Sequence, residues 1–241
     1  MKKIIAVVGL SLAALVGCGE EENVLVVGTN AAFPPFEYMG GPNGDEIKGF
    51  DIDIVAQIAK DSGKTLKVEN MAFDSLIVAL NAGRIDMIAA GMTITPERQA
   101  NVDFSEPYYE ATQVVVTMNG NNSIQAIDDL KGKKVSVQLG TTGDIMAKEL
   151  GADVVAFNTG FEAMMELKNG RVDLMLFDKE PAKNLLKKNP DLTLQSLPFN
   201  PEYYGLAMVK GNKDLLTQVN ASLAKMKANG DFDALLNKHI K

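Results

Sequence analysis

The sequence of 241 residues contains one cysteine, one histidine and no tryptophan. A single cysteine excludes a disulfide within the chain and a cysteine-rich metal site. The single histidine, His239, stands near the C-terminus, which argues against a zinc site of several histidines and against a histidine-based catalytic triad. The composition therefore predicts no metal, no cofactor and no catalytic residue.

Positive charge is scarce as well. The sequence has 24 Lys and Arg against 31 Asp and Glu, a formal net charge of −7. A nucleic-acid-binding protein needs a basic face, so this balance argues against nucleic acid as a partner. The remaining composition, 46% hydrophobic and 23% charged, is typical of a globular protein, and the length lies between one domain and two.

The first residues have the pattern of a signal peptide. Lys2 and Lys3 are followed by an apolar, small-residue run over 4–17, which is too short to cross a membrane comfortably. The run ends in Leu-Val-Gly before Cys18, which resembles the lipobox of bacterial lipoproteins. We predict a signal peptide over 1–17 and a lipidated Cys18 with its tether over 18–23, so that acyl chains hold the protein at a membrane. A buried N-terminal strand with a chance cysteine is the alternative.

Strand-like and helix-like segments then alternate along the chain. Short apolar runs predict strands, other segments have helical spacing, and Asp51 is a plausible N-cap of the first helix. Such alternation predicts an α/β fold with largely parallel sheets. The predicted strands are 24–27, 66–68, 135–137, 154–156 and 174–176, and the predicted helices are 52–59, 145–150, 161–168, 182–188 and 215–227.

One pattern occurs twice, over 73–88 and over 161–176. Each copy reads as an amphipathic helix, a glycine turn and a strand opened by Asp86 or Asp173. This repeat predicts two similar α/β lobes, although any helix–glycine–strand unit has a comparable pattern. Facing lobes place the loops after their strands on one cleft, so the loops after these two strands are expected to contact a ligand.

The first loop carries an arginine in an unusual place. Thr95 before Pro96 predicts an N-cap, which puts Arg98 in the first turn of a helix, where the helix dipole favours acids rather than bases. An arginine that faces the cleft and grips a carboxylate would explain this position. A solvated Arg98 paired with Glu97 or Asp103 is equally compatible with the sequence.

Three further segments offer polar groups for a ligand. Gly91 leaves the backbone accessible, and Thr93 offers a hydroxyl. The turn over 137–144 leads into a helix at Thr142, whose N-terminal N–H groups suit one carboxylate. Asp178, directly after the second strand, is able to bind an ammonium group or to cap the next helix. Together these groups predict the recognition of a free amino acid between two lobes.

The chain resembles family 3 bacterial solute-binding proteins, the polar amino-acid receptors of ABC importers, over 24–238. The resemblance implies a periplasmic-binding-protein-like type II fold, with two α/β lobes joined by a two-strand hinge. Its motifs are Gly-Thr-Asn-Ala-Ala-Phe-Pro-Pro-Phe-Glu from Gly28, Gly-Phe-Asp-Ile-Asp from Gly49, Gly-Met-Thr-Ile-Thr-Pro-Glu-Arg from Gly91, Asp-Phe-Ser-Glu-Pro-Tyr-Tyr from Asp103, Gly-Thr-Thr-Gly from Gly140 and Glu-Tyr-Tyr-Gly from Glu202.

The family pattern also implies boundaries and site residues. Lobe one would be 24–107 plus 205–241, lobe two 113–199, and the hinge 108–112 and 200–204. Arg98, Thr93 and Thr142 would hold the ligand carboxylate, whereas Asp178 and the Gly91 carbonyl would hold the ammonium. The side-chain pocket would be lined by Asn30, Phe33, Phe73, Gln138 and Phe177, with Glu37 as a candidate.

Ligand identity follows less directly. Basic-ligand members often have an acid where this chain has Asn30, yet the segments around Phe33 and Tyr108 are most similar to the basic amino-acid subgroup. Glu37 would supply the missing charge, or it is solvated. Phe33 and Phe73 would sandwich a guanidinium or an aliphatic stem, or they pack in the core. We rank arginine or lysine first, glutamine or histidine second, and cystine third.

The sequence therefore predicts a non-enzymatic, extracytoplasmic lipoprotein. As a monomer, it would capture a free L-amino acid by hinge closure and deliver it to an ABC transporter permease. A dehydratase of cyclic acids on the same scaffold is the enzymatic alternative, with Glu37 as its general-acid candidate. A sensor domain that feeds a kinase or channel is a further alternative.

Overall fold

The computed structural model describes residues 23–121 and 123–241, so the predicted signal peptide and Cys18 lie outside the described residues. The strands are β1 (Val24–Thr29), β2 (Ala32–Phe33), β3 (Glu37–Gly40), β4 (Glu46–Lys48), β5 (Thr65–Asn70), β6 (Met87–Ile88), β7 (Val102–Phe104), β8 (Tyr109–Ala111), β9 (Gln113–Met118), β10 (Lys134–Gln138), β11 (Asp153–Phe157), β12 (Leu174–Asp178), β13 (Leu192–Gln195), β14 (Glu202–Tyr204) and β15 (Ala207–Val209). The helices are α1 (Phe50–Asp61), α2 (Leu76–Asn81), α3 (Pro96–Asn101), α4 (Thr142–Glu149), α5 (Gly160–Lys168), α6 (Lys179–Leu186), α7 (Lys213–Asn229) and α8 (Asp231–His239).

Two five-stranded sheets organise the chain, in the orders β5-β1-β6-β15-β7 and β11-β10-β12-β9-β13. The first sheet with α1, α2, α3, α7 and α8 forms the first lobe, and the second sheet with α4, α5 and α6 forms the second lobe. This confirms the two-lobed α/β fold. Each sheet is mixed rather than largely parallel, because β15 runs antiparallel to β6 and β9 runs antiparallel to β12. β9 and β15 each come directly after a strand that joins the lobes, β8 and β14 respectively. Each therefore enters its sheet from the end opposite to the one at which the parallel strands begin.

The repeated sequence pattern builds equivalent units in the two lobes. In the first lobe the Asp86 N–H donates to the Val26 carbonyl, and the Asp86 carboxylate accepts the Val26 N–H at 2.8 Å. In the second lobe Asp173 makes the same two bonds with Lys134, the carboxylate again at 2.8 Å. The aspartate that opens each central strand therefore ties it to its parallel neighbour.

The lobes are joined by β8 and β14, which pair antiparallel with Tyr109 opposite Tyr204. The segments predicted to cross between lobes contain these two connecting strands. Four of the five tyrosines lie in or beside them, and the rings of Tyr109 and Tyr204 are 5.6 Å apart. A continuous buried cluster passes from one sheet through Tyr108 and Tyr204 to the other, so the connection is part of the core.

The start of α1 differs from the sequence prediction. Gly49, with φ of 139°, is the N-cap, and the prediction of Asp51 as the cap is wrong. A Cβ on Gly49 would lie 2.0 Å from the Phe36 carbonyl oxygen, so a glycine is required for the close approach of the two segments. Asp51 is instead buried in the first turn, where it accepts hydrogen bonds from Gly91 and Tyr108.

Each sheet is covered on both faces by apolar side chains. One cluster packs α1, α7 and α8 against the first sheet and α5 and α6 against the second, while two smaller clusters fill the opposite faces. Because both faces of each sheet are covered, the lobes meet at the strand ends and at the loops that follow them. Over 23–121 and 123–241, every helix is too short or too polar to cross a membrane.

Candidate functional site

A small cavity lies between the two lobes. The loops after β1, β6 and β10 and the end of β12 contribute to its wall, which agrees with the expectation that strand ends face one cleft. It is lined by Asn30, Phe33, Glu37, Phe73, Ala90, Gly91, Thr93, Arg98, Gln138, Thr141, Thr142 and Asp178. All predicted site residues except Phe177 are therefore brought together.

Arg98 faces the cavity rather than solvent. Thr95 is the N-cap of α3 and Pro96 its first residue, as the sequence predicts, and Arg98 is only 8% exposed. Its Nη1 donates to the Thr93 carbonyl at 2.7 Å, and its Nη2 donates across the lobes to the Gly140 carbonyl at 3.0 Å. These bonds use two of its five N–H donors and fix the planar fork at the cavity wall. Burial lowers the pKa of Arg98, and the nearby carboxylate of Glu202 opposes that shift.

The two threonines meet at one carboxylate oxygen. Oε2 of Glu202 accepts from Thr142 Oγ1 at 2.9 Å, from Thr93 Oγ1 at 3.3 Å and from Gln113 Nε2 at 3.1 Å. Thr93 belongs to the first lobe, Thr142 begins α4 of the second lobe, and Glu202 begins the connecting strand β14. Both lobes and their connection therefore converge on a single atom beside the cavity.

Asp178 ends β12 at the cavity wall, and its side chain does not cap α6. Its carboxylate accepts a short hydrogen bond from the Tyr204 hydroxyl. Burial, and then the charge of Glu202, raises the pKa of Asp178 to about 7. A carboxyl group with such a pKa gains most from a cation placed beside it, because the cation stabilises its charged form.

Glu37 is fully buried, so the solvated alternative is wrong. The Glu37 carboxyl group lies at hydrogen-bond distance from Asp51, and apart from that contact the described residues offer neither Glu37 carboxyl oxygen a donor. Burial, followed by the charges of Asp51 and Asp178, raises the pKa of Glu37 well above its usual value. Burial likewise raises the pKa of Asp51 to about 6. Two carboxyl groups with raised pKa values, Glu37 and Asp178, thus line the cavity.

Two amides and two aromatic rings complete the wall. Gln138 Nε2 donates across the lobes to Asn30 Oδ1 at 2.9 Å, and Asn30 Nδ2 donates to the Met71 carbonyl at 2.8 Å. The guanidinium carbon of Arg98 lies 5.3 Å from the centre of the Phe73 ring. Phe33 meets Phe177 edge to face at 5.4 Å, so Phe177 supports Phe33 from behind. Both lining rings also belong to core clusters.

Sequence reasoning missed several polar residues around the cavity. Asp51 was interpreted only as a cap, and Glu202, Gln113 and Tyr204 received no role. Their partners are separated from them by 26 to 109 residues in the sequence, so no local spacing reveals the contacts. The one available signal was the Glu-Tyr-Tyr-Gly motif itself, which places Glu202 and Tyr204 in a connecting strand.

Comparison with known proteins agrees with this architecture. The family described as bacterial extracellular solute-binding proteins, family 3, matches residues 25–241. The chain is 35% identical to the putative ABC transporter arginine-binding protein 2 of Escherichia coli, over 99% of this chain and 98% of that protein. Other relatives are named as histidine-, cystine- and glutamine-binding proteins, from Campylobacter jejuni, E. coli and Bacillus subtilis, at 34%, 34% and 39% identity.

Solved structures are similar over nearly the same length. An ancestral arginine-binding protein bound to arginine has a TM-score of 0.85 and 44% identity, covering 91% of this chain and 99% of that one. An ancestral amino-acid-binding protein that is a precursor of cyclohexadienyl dehydratase has a TM-score of 0.84 and 38% identity, covering 91% and 96%. The chain belongs to the family 3 bacterial extracellular solute-binding proteins.

Proposed function

We propose that the protein captures a free L-amino acid, arginine or lysine in preference, and delivers it to the permease of an ABC importer. The observation that carries this proposal is the cavity shared by two lobes, which combines one buried guanidinium, Arg98, with two buried carboxyl groups, Asp178 and Glu37. A free amino acid presents a carboxylate and an ammonium group on one carbon. Buried groups of both signs recognise such a zwitterion because the ligand brings each of them a group of the opposite charge.

The proposed roles follow from these charges. Arg98, with Thr93 and Thr142, holds the ligand carboxylate, because guanidinium groups bind carboxylates bidentately. Asp178 and the Gly91 carbonyl hold the ammonium. The side chain of the ligand extends between Asn30, Phe33, Glu37, Phe73 and Gln138, with Phe177 behind them.

A cationic ligand side chain is favoured by Glu37. This buried carboxyl group has no basic partner among the described residues, and a guanidinium or ammonium group would supply one. The amide pair of Asn30 and Gln138 keeps a neutral ligand, glutamine above all, as the second candidate. The arginine-binding relatives support the first choice, and the glutamine-, histidine- and cystine-binding relatives support the others.

Closure of the lobes is proposed to trap the ligand. The hydrogen bonds from Arg98 to Gly140 and from Gln138 to Asn30 join the lobes across the cavity. A ligand that also contacts both lobes shifts the equilibrium toward the closed arrangement. The connecting strands β8 and β14 would act as the hinge between the predicted lobes 24–107 plus 205–241 and 113–199.

Thermal-shift screening of the twenty amino acids, followed by calorimetric titration, tests the proposal. A ligand present at about 100 times its Kd adds about 2.7 kcal/mol to the free energy of unfolding, so a true ligand raises the melting temperature measurably. Arg98→Ala is expected to abolish the shift caused by arginine. Arg171→Ala is the matched control, because that arginine is exposed and pairs with Glu166 away from the cavity. If Arg98→Ala binds as tightly as wild type, the site assignment is wrong.

A dehydratase of cyclic acids is the second candidate. Glu37 supports it, because a buried carboxyl group with a raised pKa remains protonated and is able to act as a general acid. The similarity to a dehydratase precursor supports it as well, although that precursor is itself described as an amino-acid-binding protein. Turnover of a cyclic acid without amino-acid binding would favour the enzyme, and tight amino-acid binding without turnover would favour the receptor.

The proposed place of action is outside the cytoplasm, as the family description indicates. Lipidation of Cys18 would tether the two lobes to a membrane while the cavity stays in water. We also propose that the protein acts as a monomer.

A further inference from the structure

Glu202 occupies a position that the proposed binding roles leave unexplained. Its Oε2 accepts the hydroxyl groups of Thr142 and Thr93 and the side-chain amide of Gln113. Thr142 lines both the cavity and an outer groove, and Glu202 lines that outer groove together with α4. The carboxylate therefore meets Thr142 from the outer groove rather than from the cavity.

The number of protons on the two threonine hydroxyls limits what they can offer a ligand. A threonine hydroxyl has one proton to donate, and a carboxylate oxygen is able only to accept. Glu202 receives the proton of both hydroxyls, so neither hydroxyl has a proton left for a ligand carboxylate. What Thr93 and Thr142 offer a carboxylate is then the backbone N–H, which for Thr142 is one of the unpaired donors in the first turn of α4.

The same contact joins three parts of the fold. Thr93 follows β6 in the first lobe, Thr142 begins α4 in the second lobe, and Gln113 begins β9 directly after the connecting strand β8. One oxygen atom reaches all three only when the lobes lie together. A charged acceptor makes each of these bonds stronger than a neutral one would.

We propose that Glu202 is a positioning residue that takes the hydroxyl protons of Thr93 and Thr142, and thereby fixes both threonines and holds the lobes in the arrangement that binds a ligand carboxylate. The inference rests on the proposed amino-acid function, and it deepens that function by adding a residue that acts on the ligand through others. It assigns the two threonine hydroxyls to Glu202 and leaves carboxylate recognition to Arg98 and backbone N–H groups.

A double-mutant cycle with L-arginine as the probe tests the inference. Glu202→Gln removes the charge at nearly constant volume, and Thr142→Val removes the hydroxyl at nearly constant shape. Each is expected to raise the calorimetric Kd about tenfold. The double variant is expected to lose about tenfold as well, because both changes break the same contact. A positioning role also predicts that Thr142→Ser, which restores a hydroxyl, binds more tightly than Thr142→Val.

Glu149→Gln is the matched control, since Glu149 lies in the same outer groove and its loss changes the local charge equally. Its Kd is expected to stay within about twofold of wild type. Glu202→Asp, measured beside Glu202→Gln, keeps the charge and withdraws the carboxylate by one methylene, and it is expected to bind more weakly than wild type.

The outcomes separate the inference from the function on which it rests. If the wild type binds L-arginine and the Glu202→Gln variant binds it equally well, the inference is overturned but the proposed function is not. A double variant whose loss equals the product of the two single losses, about a hundredfold, also overturns it, because Glu202 and Thr142 then act independently. If the wild type binds none of the twenty amino acids and no cystine, the proposed function and the inference fail together.

Discussion

Glu37 is a glutamate in a Pro-Pro-Phe-Glu run, a local sequence that does not reveal whether the side chain is solvated or buried. The fold decides this, because β3 and α1 bury the side chain beside Asp51, in the wall of the cavity. We propose that Glu37 meets a cationic group of the ligand from this position.

Glu37→Gln is therefore expected to separate cationic ligands from neutral ones. The substitution keeps the shape of the side chain and removes its ability to ionise beside a cation, so the Kd for arginine and lysine should rise about tenfold or more, a loss of about 1.4 kcal/mol. The Kd for glutamine should change by less than about threefold. Titration of wild type and variant with the three amino acids measures the ratio. Equal losses for all three would show that Glu37 does not contact the ligand side chain.

The buried carboxyl groups also predict how stability depends on pH. Asp51 and Asp178, with pKa values raised from 3.8 to about 6 and about 7, and Glu37, whose pKa is raised as well, hold more protons in the folded protein than in the unfolded chain. Stability falls with rising pH wherever the folded state binds more protons. This contribution is fully present below the unfolded pKa values near 4 and is lost as pH rises through about 6 to 7.

Urea unfolding without added ligand, between about pH 5 and 8, measures this slope. Asp53, Asp61 and Asp103 have lowered pKa values, so their opposite effect falls mostly below this window. Glu37→Gln should flatten the slope, because it removes one group that holds its proton in the folded protein and releases it in the unfolded chain. A wild-type free energy of unfolding that rises steadily from about pH 5 to 8 would contradict the prediction.

At the scale of elements, the junction between β3 and α1 depends on Gly49. A side chain there needs φ of 139° and would approach the Phe36 carbonyl oxygen to 2.0 Å, directly before Glu37. We expect Gly49→Ala to cost about 3 kcal/mol of unfolding free energy and to weaken arginine binding, because the loop that carries Glu37 must shift.

Gly63→Ala is the comparison, since Gly63 has φ of 66° and no atom within 4 Å of an added Cβ. That change should cost only about 1 kcal/mol, the cost of the left-handed backbone alone. Urea unfolding of both variants gives the difference. If the two substitutions cost the same, the contact with Phe36 does not limit the junction.

Most elements were predictable because their signals are local. Val24–Thr29 and Leu174–Asp178 consist mostly of consecutive apolar residues. Thr95 as an N-cap and Pro96, with its fixed backbone angle, predict the start of α3. The antiparallel strands β9 and β15 were not predictable in the same way. Their direction is set by where the chain re-enters each sheet after crossing between lobes, which no local pattern encodes.

The same division holds for the site. Arg98 and Thr93 were identified from their loop, and Asp178 from its strand end, because each combines a reactive group with a local element boundary. The contacts of Glu202 with Thr93 and of Asp51 with Tyr108 join residues 109 and 57 positions apart. Such contacts exist only after distant segments of the chain have folded together, so sequence reasoning had no means to find them.

At the scale of the whole molecule, the two strands that join the lobes have a spectroscopic consequence. The chain has no tryptophan, and of its five tyrosines all but Tyr38 lie in or beside these strands. Intrinsic ultraviolet emission therefore comes mainly from the connection between the lobes.

Addition of L-arginine is expected to change the tyrosine emission, and the Kd obtained from that change should equal the Kd from calorimetry, in wild type and in Tyr38→Phe alike. Emission that stays constant while heat is released would mean that the connecting strands do not change on binding. The protein would thus report its own closure without an added dye.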